Sequence, residues 1–167
     1  MIIVISNPTQ IKNEYSIIHQ LFEQGLESFH IYKPDFSSEQ IAEFKQQISA
    51  KYHSKIVLHE EYFKFHSLKE LENCKEKYDY AFLSPVFDSI SKAGYKSQLN
   101  LKEVSNVLKN KKDKIIALGG IDEDKINTIK AIGFSGIALL GAIWKSDNPV
   151  EKFKQIKEKW LKSELVH

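Results

Sequence analysis

A loop rich in hydroxyl groups occupies residues 84–95 and follows a short apolar segment. It contains Ser89, Ser91 and Lys92, so it offers hydroxyls, backbone N–H groups and one ammonium within a few residues. These groups are common donors to a phosphate. A polar surface loop without function has the same composition, so the loop alone leaves both interpretations open.

Two glycine-containing turns follow later in the chain. Gly119 and Gly120 come after one apolar run, and Leu140 and Gly141 stand at the end of the next. Glycine lets backbone amides approach a ligand closely. In a βα barrel, the loops after the last two strands form the usual phosphate site. Taken with the serine and lysine loop, the turns favour a phosphorylated ligand.

Further side chains that could bind a ligand or transfer a proton lie at the ends of the earlier apolar runs. His30 and Lys33 follow one run, His59 and Glu60 follow another, and His66 stands just before a helix start. Imidazole titrates near neutral pH, so His66 is a candidate proton-transfer group, and bonding to nearby backbone is the equally supported alternative. His30 and His59 are interpreted as residues that line a site.

The elements that must position these residues are read from apolar patterning. Apolar residues at helical spacing predict helices, with N-caps at Ser67, Asn100 and Asn148 and C-terminal glycines at Gly25 and Gly133. Between the helices lie short β-branched or aromatic runs, typical of parallel strands buried on both faces. The predicted strands are 2–6, 29–32, 55–59, 80–83, 114–118 and 136–140.

The regular alternation of strands and helices predicts an α/β fold. Strand starts recur roughly every 21 to 35 residues, as in repeated βα units. This order fits either a doubly wound open sheet or a closed barrel. Eight units of a barrel at this spacing would need about 200 residues or more, so length alone favours the open sheet. Residues 61–67 are interpreted as the remnant of a seventh unit. Because no linker or change in composition interrupts the pattern, one domain is expected over residues 1–167.

Composition narrows the function classes. The 167 residues are 42% apolar and 28% charged, with a net charge of +2, so no strong field indicates a nucleic-acid or anionic-lipid partner. The single Cys74 excludes a disulfide framework and a multi-cysteine zinc site. The opening MIIVIS lacks the features of a signal peptide, and no apolar stretch approaches the roughly 20 residues of a membrane span. A cytoplasmic protein with small-molecule substrates is therefore expected.

Several of these segments resemble the thiamine phosphate synthase family. The likeness covers most of the chain and is strongest between Phe65 and Trp144. It rests on residues 78–87 with Ser89, Ser91 and Lys92, on the glycine turns within 115–121 and 136–143, on 29–34 as a second strand, and on His66-Ser67.

The resemblance implies a TIM-barrel-type (β/α) fold, shortened to about six to seven βα units. It implies an enzyme that joins a pyrimidine methyl diphosphate to a thiazole phosphate, releasing pyrophosphate with the help of Mg²⁺. Glu60 stands where the family has a magnesium-binding acid, and Lys33 is the cation nearest the diphosphate, because Tyr32 replaces an arginine. The residues implied to hold substrate are His30, His59, Ser89, Ser91, Lys92, Gly119, Gly120, Leu140 and Gly141.

Departures from the family pattern keep other functions open. Lys64 stands where a pyrophosphate-contacting serine is expected, and about 35 residues, including a second magnesium-binding aspartate, are absent between Glu61 and Lys64. The alternatives are a thiazole tautomerase, with His66 moving a proton and no metal, and a non-catalytic protein that binds thiazole or thiamine phosphate. An incomplete barrel leaves an unpaired strand edge, so a homo-oligomer is also expected.

Overall fold

One sheet of seven parallel strands forms the centre of the molecule, in a computed structural model that describes residues 1–90, 93–94 and 96–164. The strands are β1 (Ile2–Ile5), β2 (Ser28–Ile31), β3 (Ile56–Leu58), β4 (Lys64–Phe65), β5 (Ala81–Leu83), β6 (Ile115–Leu118) and β7 (Gly136–Leu139). Their order across the sheet is β3-β2-β1-β7-β6-β5-β4. The first and last strands pair in parallel, which is the circular order of a βα barrel.

The predicted strands are confirmed, each to within one residue at either end. The remnant in 61–67 is confirmed as β4. The fold is therefore a shortened TIM-barrel-type fold, as the resemblance implied. The open sheet favoured by length alone is wrong, because a doubly wound order would separate β1 from β7.

Seven α-helices accompany the strands in the part of the chain that the structure describes. They are α1 (Glu14–Glu23), α2 (Ser38–Gln46), α3 (Leu68–Asn73), α4 (Leu101–Asn110), α5 (Ile126–Ile132), α6 (Gly141–Trp144) and α7 (Pro149–Glu164). Short 3-10 helices cover Ala50–Lys55, His59–Glu61 and Glu123–Lys125. Among these described helices, none combines the length and apolar character that crossing a membrane requires.

The helix ends follow the predicted caps. The Ser67 hydroxyl accepts a hydrogen bond from the Glu70 backbone N–H, and the Asn100 side chain accepts from the first turn of α4. Gly133 ends α5 with φ of 106°, a left-handed conformation that glycine adopts without the strain that a β-carbon causes. These local interactions fix where each helix starts and stops.

Alternation of side chains along the strands separates two apolar clusters. The larger cluster joins one face of the sheet to the helices and includes Val4, Phe29 and Phe153. The smaller cluster contains no helical residue, so it occupies the inner face of the curled sheet. Its buried members are Ile3, Ile5, Phe82, Ile116 and Ala138.

The two edges of the sheet, β3 and β4, are joined by residues 59–63, which we call the seam. Since all strands are parallel, the seam must return the chain from the carboxyl end of β3 to the amino end of β4 without an α-helix. The Tyr62 ring of the seam stacks on Tyr80 at 4.6 Å between centroids, and the Phe63 carbonyl accepts the Phe82 N–H at 2.9 Å. The seam thus fills the place where a complete barrel would have further βα structure.

Candidate functional site

A cavity of about 370 Å³ lies at the carboxyl ends of the strands. This volume falls in the range of small-molecule pockets, and this end of a βα barrel is where ligands bind. We call one wall the glycine side; it comprises Ser84, Ser89, Ile90, residues 118–121, Leu140 and Gly141. We call the opposite wall the seam side; it comprises Tyr32, His59, Glu60 and Lys64.

The turn after β6 places backbone directly at the cavity. Gly119 and Gly120 both have positive φ, of 101° and 65°. A β-carbon on Gly120 would lie 2.8 Å from the backbone carbon of Phe87, and one on Gly119 would lie 2.8 Å from the α-carbon of Pro85. Both positions therefore require glycine, for conformation and for space.

Backbone pairing holds the serine loop against this turn. The Val86 N–H donates to the Leu118 carbonyl at 2.9 Å, and the Phe87 N–H donates to the Gly119 carbonyl at 3.1 Å. Ser84 and Ser89 consequently line the cavity beside the glycines. The predicted ligands Ser91 and Lys92 lie outside the described residues.

The second glycine turn opens α6, directly after β7. Leu140 and Gly141 line the cavity at this point. The Trp144 indole N–H donates to the Ile5 carbonyl at 2.6 Å, which ties the short helix to the carboxyl end of β1. The turn is therefore held in place from two strands.

Below the cavity lies a buried network of two histidines and a tyrosine. The Nδ1 atoms of His30 and His59 are 3.2 Å apart, and Nε2 of His30 lies 2.7 Å from the Tyr80 hydroxyl. Burial, assisted by the positive charge of Lys64, lowers the pKa of each imidazole to about 3. Both histidines are neutral at pH 7, so one Nδ1 donates to the other. His59 lines the cavity, whereas His30 lies beneath it and supports His59.

Glu60 and Lys64 are the charged side chains among the described lining residues. Burial lowers the pKa of the Lys64 ammonium below its usual value, and the negative charge of Glu60 opposes part of this shift. Glu60 is exposed at the rim, while Lys64 is half-buried on the inner face of β4. The seam side thus presents one ammonium, partly offset by one carboxylate.

Lys33 does not line this cavity. Its ammonium donates to both carboxylate oxygens of Glu14, at 2.6 and 2.9 Å, and to the Thr9 carbonyl at 3.0 Å. Both side chains of the ion pair have no exposed surface. Burial lowers the pKa of Lys33 and raises that of Glu14, while each group's charge opposes the shift of the other. All three donors of the ammonium are occupied, so the geometry gives the expected diphosphate contact no support.

His66 also stands outside the cavity lining. Its ring is exposed and places Nδ1 3.1 Å from the Ser84 carbonyl, a hydrogen bond in which Nδ1 donates. Its backbone N–H donates to the Glu70 carboxylate at 2.7 Å. The ring therefore makes the contact with nearby backbone that was one of its two predicted roles.

Of the predicted site residues, the structure gathers seven around the cavity: His59, Glu60, Ser89, Gly119, Gly120, Leu140 and Gly141. Sequence reasoning gave no site role to three polar lining residues, Tyr32, Lys64 and Ser84. Each is close in the chain to a predicted residue or strand end. The alternation of Lys64 with the buried Phe65 is the signal that could have placed its side chain on the inner face.

A Mg²⁺ ion prefers carboxylate, phosphate and water oxygens in octahedral geometry, and the described lining of the cavity offers few of these. Glu60 is the one carboxylate on the described part of the wall, and the Lys64 ammonium beside it repels a divalent cation. Within residues 1–90, 93–94 and 96–164, no group of three or more His, Cys, Asp or Glu side chains is arranged to hold a metal. These residues do not fit a magnesium site.

Comparison with protein families gives a match to the model of thiamine monophosphate synthase over residues 64–143. Among curated proteins, the thiamine-phosphate synthase of Lactococcus lactis subsp. cremoris is 26% identical over 85 residues, covering 51% of this chain and 39% of that protein. The thiamine-phosphate synthase of Vibrio parahaemolyticus is 33% identical over 73 residues, or 44% of this chain and 36% of that one. The chain thus spans less than half the length of these curated relatives.

Among solved structures, a thiamine phosphate pyrophosphorylase from Bacteroides thetaiotaomicron is 30% identical, with a TM-score of 0.81. That match covers 100% of this chain and 98% of the other. A thiamine phosphate pyrophosphorylase from Pyrococcus furiosus has a TM-score of 0.77 at 15% identity, which supports the fold alone. The residues matched by the family model include β4 to β7, and hence the whole glycine side of the cavity.

Proposed function

The chain belongs to the thiamine monophosphate synthase family, and on that premise we propose that it joins a pyrimidine methyl diphosphate to a thiazole phosphate. The bond between the pyrimidine methylene carbon and the diphosphate oxygen breaks, and its electron pair leaves with pyrophosphate. The lone pair of the thiazole nitrogen then forms the new C–N bond, which gives thiamine phosphate. No proton changes place, so catalysis consists of positioning the two substrates and stabilising charge.

The observation that carries this proposal is the glycine side of the cavity. Two glycine turns and two serines line the cavity there, and residues without side chains leave the backbone of both turns uncovered at the wall. Backbone N–H groups and hydroxyls are suitable donors to the phosphate of the thiazole. The proposed phosphate ligands are the amides of Gly119, Gly120 and Gly141 with the Ser89 hydroxyl, and Ser91 and Lys92 complete the set implied by the family.

The seam side would then receive the pyrimidine diphosphate. Tyr32 and His59 supply ring surfaces and Lys64 supplies a positive charge. Because burial holds His59 neutral, it acts as a hydrogen-bonding wall and not as a second cation. The two substrates thus meet in one cavity from opposite walls.

The tautomerase and binding-protein alternatives gain no comparable support. The tautomerase requires His66 at the ligand, and its ring lies outside the lining. A non-catalytic binder would use the same glycine side, so turnover decides between it and the synthase.

The test is to incubate the protein with both substrates and to measure thiamine phosphate and free pyrophosphate. We expect the two products in equal amounts, at a rate proportional to protein concentration. Binding of thiazole phosphate without product would establish the binder instead. Isomerisation of a thiazole carboxylate phosphate, lost in His66→Ala, would establish the tautomerase.

A further inference from the structure

The position of Lys64 follows from the shortness of the seam. β4 contains two residues, and Phe65 enters the core between sheet and helices. Because neighbouring side chains on a strand point to opposite faces, Lys64 must point to the inner face. The five residues of the seam place it there four positions after Glu60, and Lys64 lines the cavity.

The charge of Lys64 dominates the seam side. It is the one ammonium among the described lining residues, and its field reaches both histidines below the cavity. The other described lining groups are neutral, apart from the carboxylate of Glu60 at the rim. The ammonium carries three donors that no described hydrogen bond within the protein occupies. It is therefore ready to bind an anion.

Lys33, the cation expected from the sequence to face the diphosphate, is not free to bind it. Its three donors are used by Glu14 and Thr9 in a pair without exposed surface. A magnesium ion at the wall would have one carboxylate ligand and an ammonium neighbour. Among the described residues that line this wall, Lys64 is therefore the cation available to the leaving group.

We propose that the Lys64 ammonium binds the diphosphate and takes the place of a divalent cation, so that this chain handles diphosphate without metal. The proposal rests on the proposed function for the identity of the leaving group. As the C–O bond breaks, its electron pair remains on the diphosphate oxygen. The Lys64 ammonium keeps its proton, and its positive charge offsets the negative charge that develops on that oxygen. Lys64 is in this sense a catalytic residue.

The test is calorimetric titration with inorganic pyrophosphate in EDTA and again in excess Mg²⁺. We expect binding by the wild-type protein in EDTA. Lys64→Met should weaken it by about ten- to a hundredfold, the loss expected for a hydrogen bond to a charged group, whereas Lys64→Arg should keep it within about threefold. Lys69→Met removes a charge from the exposed surface of α3 and should leave the affinity unchanged.

Two results would overturn the proposal: wild-type binding that appears only with Mg²⁺, or equal affinities of wild type and Lys64→Met in EDTA. If Lys64→Met does not fold, the wild-type titrations and Lys64→Arg still decide. Turnover is measured separately with both substrates. If pyrophosphate binding depends on Lys64 but no thiamine phosphate forms, the synthase activity is refuted and the anion site stands. If turnover occurs but requires Mg²⁺, the metal-free anion site is refuted and the synthase activity stands.

Discussion

The glycine side of the cavity is built mainly from backbone, whereas the seam side is built from side chains. On the glycine side, Gly119 and Gly120 occupy a turn that no other residue fits, and Val86 and Phe87 pair with that turn. On the seam side, His59 and Glu60 come from a connection of five residues, and Lys64 begins the strand that follows it. The comparison teaches that a barrel can be short on one side while the turns on the other keep their geometry, since those turns depend on local contacts.

The largest effect is expected from the buried ion pair behind the seam side. Glu14→Gln leaves the Lys33 ammonium without a charge partner in a site with no exposed surface, and we expect a loss of about 3–5 kcal/mol in the free energy of unfolding. Urea unfolding measures it. Glu151→Gln, which breaks an exposed pair with Lys154, should cost less than about 1 kcal/mol. Similar losses for both variants would show that the Lys33–Glu14 pair has no special structural role.

On the glycine side, Gly120→Ala should weaken the binding of thiazole phosphate. The added β-carbon meets the backbone of Phe87, and the left-handed φ of 65° adds about 1–2 kcal/mol of strain. We expect the affinity for thiazole phosphate to fall by about a hundredfold. Gly133→Ala has the same kind of strained φ, but its β-carbon would make only an ordinary contact, 3.9 Å from Cβ of Leu108, so it should lose stability and keep affinity. Equal loss of affinity in both variants would refute a specific cradle.

Because of the histidine network under the seam side, the free energy of unfolding should decrease as the pH falls. Folding lowers the pKa of His30 and His59 from 6.5 to about 3, so the unfolded chain binds protons that the folded chain does not. The stabilisation is complete above pH 6.5 and is lost progressively towards pH 3, by up to about 1.4 kcal/mol per pH unit for each histidine. Unfolding in urea between pH 7 and 5.5 tests this. His30→Gln should make the dependence shallower, and an unchanged slope would contradict the network.

His66→Ala should have the smallest effect. Its exposed ring contacts the Ser84 carbonyl and lies outside the cavity lining, so we expect thiamine phosphate formation to change less than about threefold. The initial rate with both substrates measures it. A loss of a hundredfold or more, the range of general acid–base catalysis, would return His66 to a catalytic role.

The two sides also differ in how far the sequence could predict them. The glycine turns, the caps at Ser67 and Asn100 and all strands follow from local signals, because each depends on residues within a few positions. The role of Lys33 depends on Glu14, which lies nineteen positions away on α1. Glu14 stands on the buried face of that helix, where a carboxylate needs a partner, and this was the missed signal.

Contacts on the seam side depend on strand order and register, which residue patterns do not encode. His30 meets Tyr80 across the inner face of the sheet, fifty positions apart. The pairing of Lys64 with Phe82 sets which seam residues face the cavity. These relations appear only once the sheet is assembled, so the sequence predicted His59 and Glu60 as site residues but not the contacts that connect them to the inner face of the sheet.

The most direct test of this division is a crystal structure of the protein with thiazole phosphate and inorganic pyrophosphate. The account predicts the thiazole phosphate group within hydrogen-bond distance of the Gly120 and Gly141 amides, and the pyrophosphate on the Lys64 ammonium. A thiazole phosphate group on Lys64, or both anions away from the glycine turns, would contradict it.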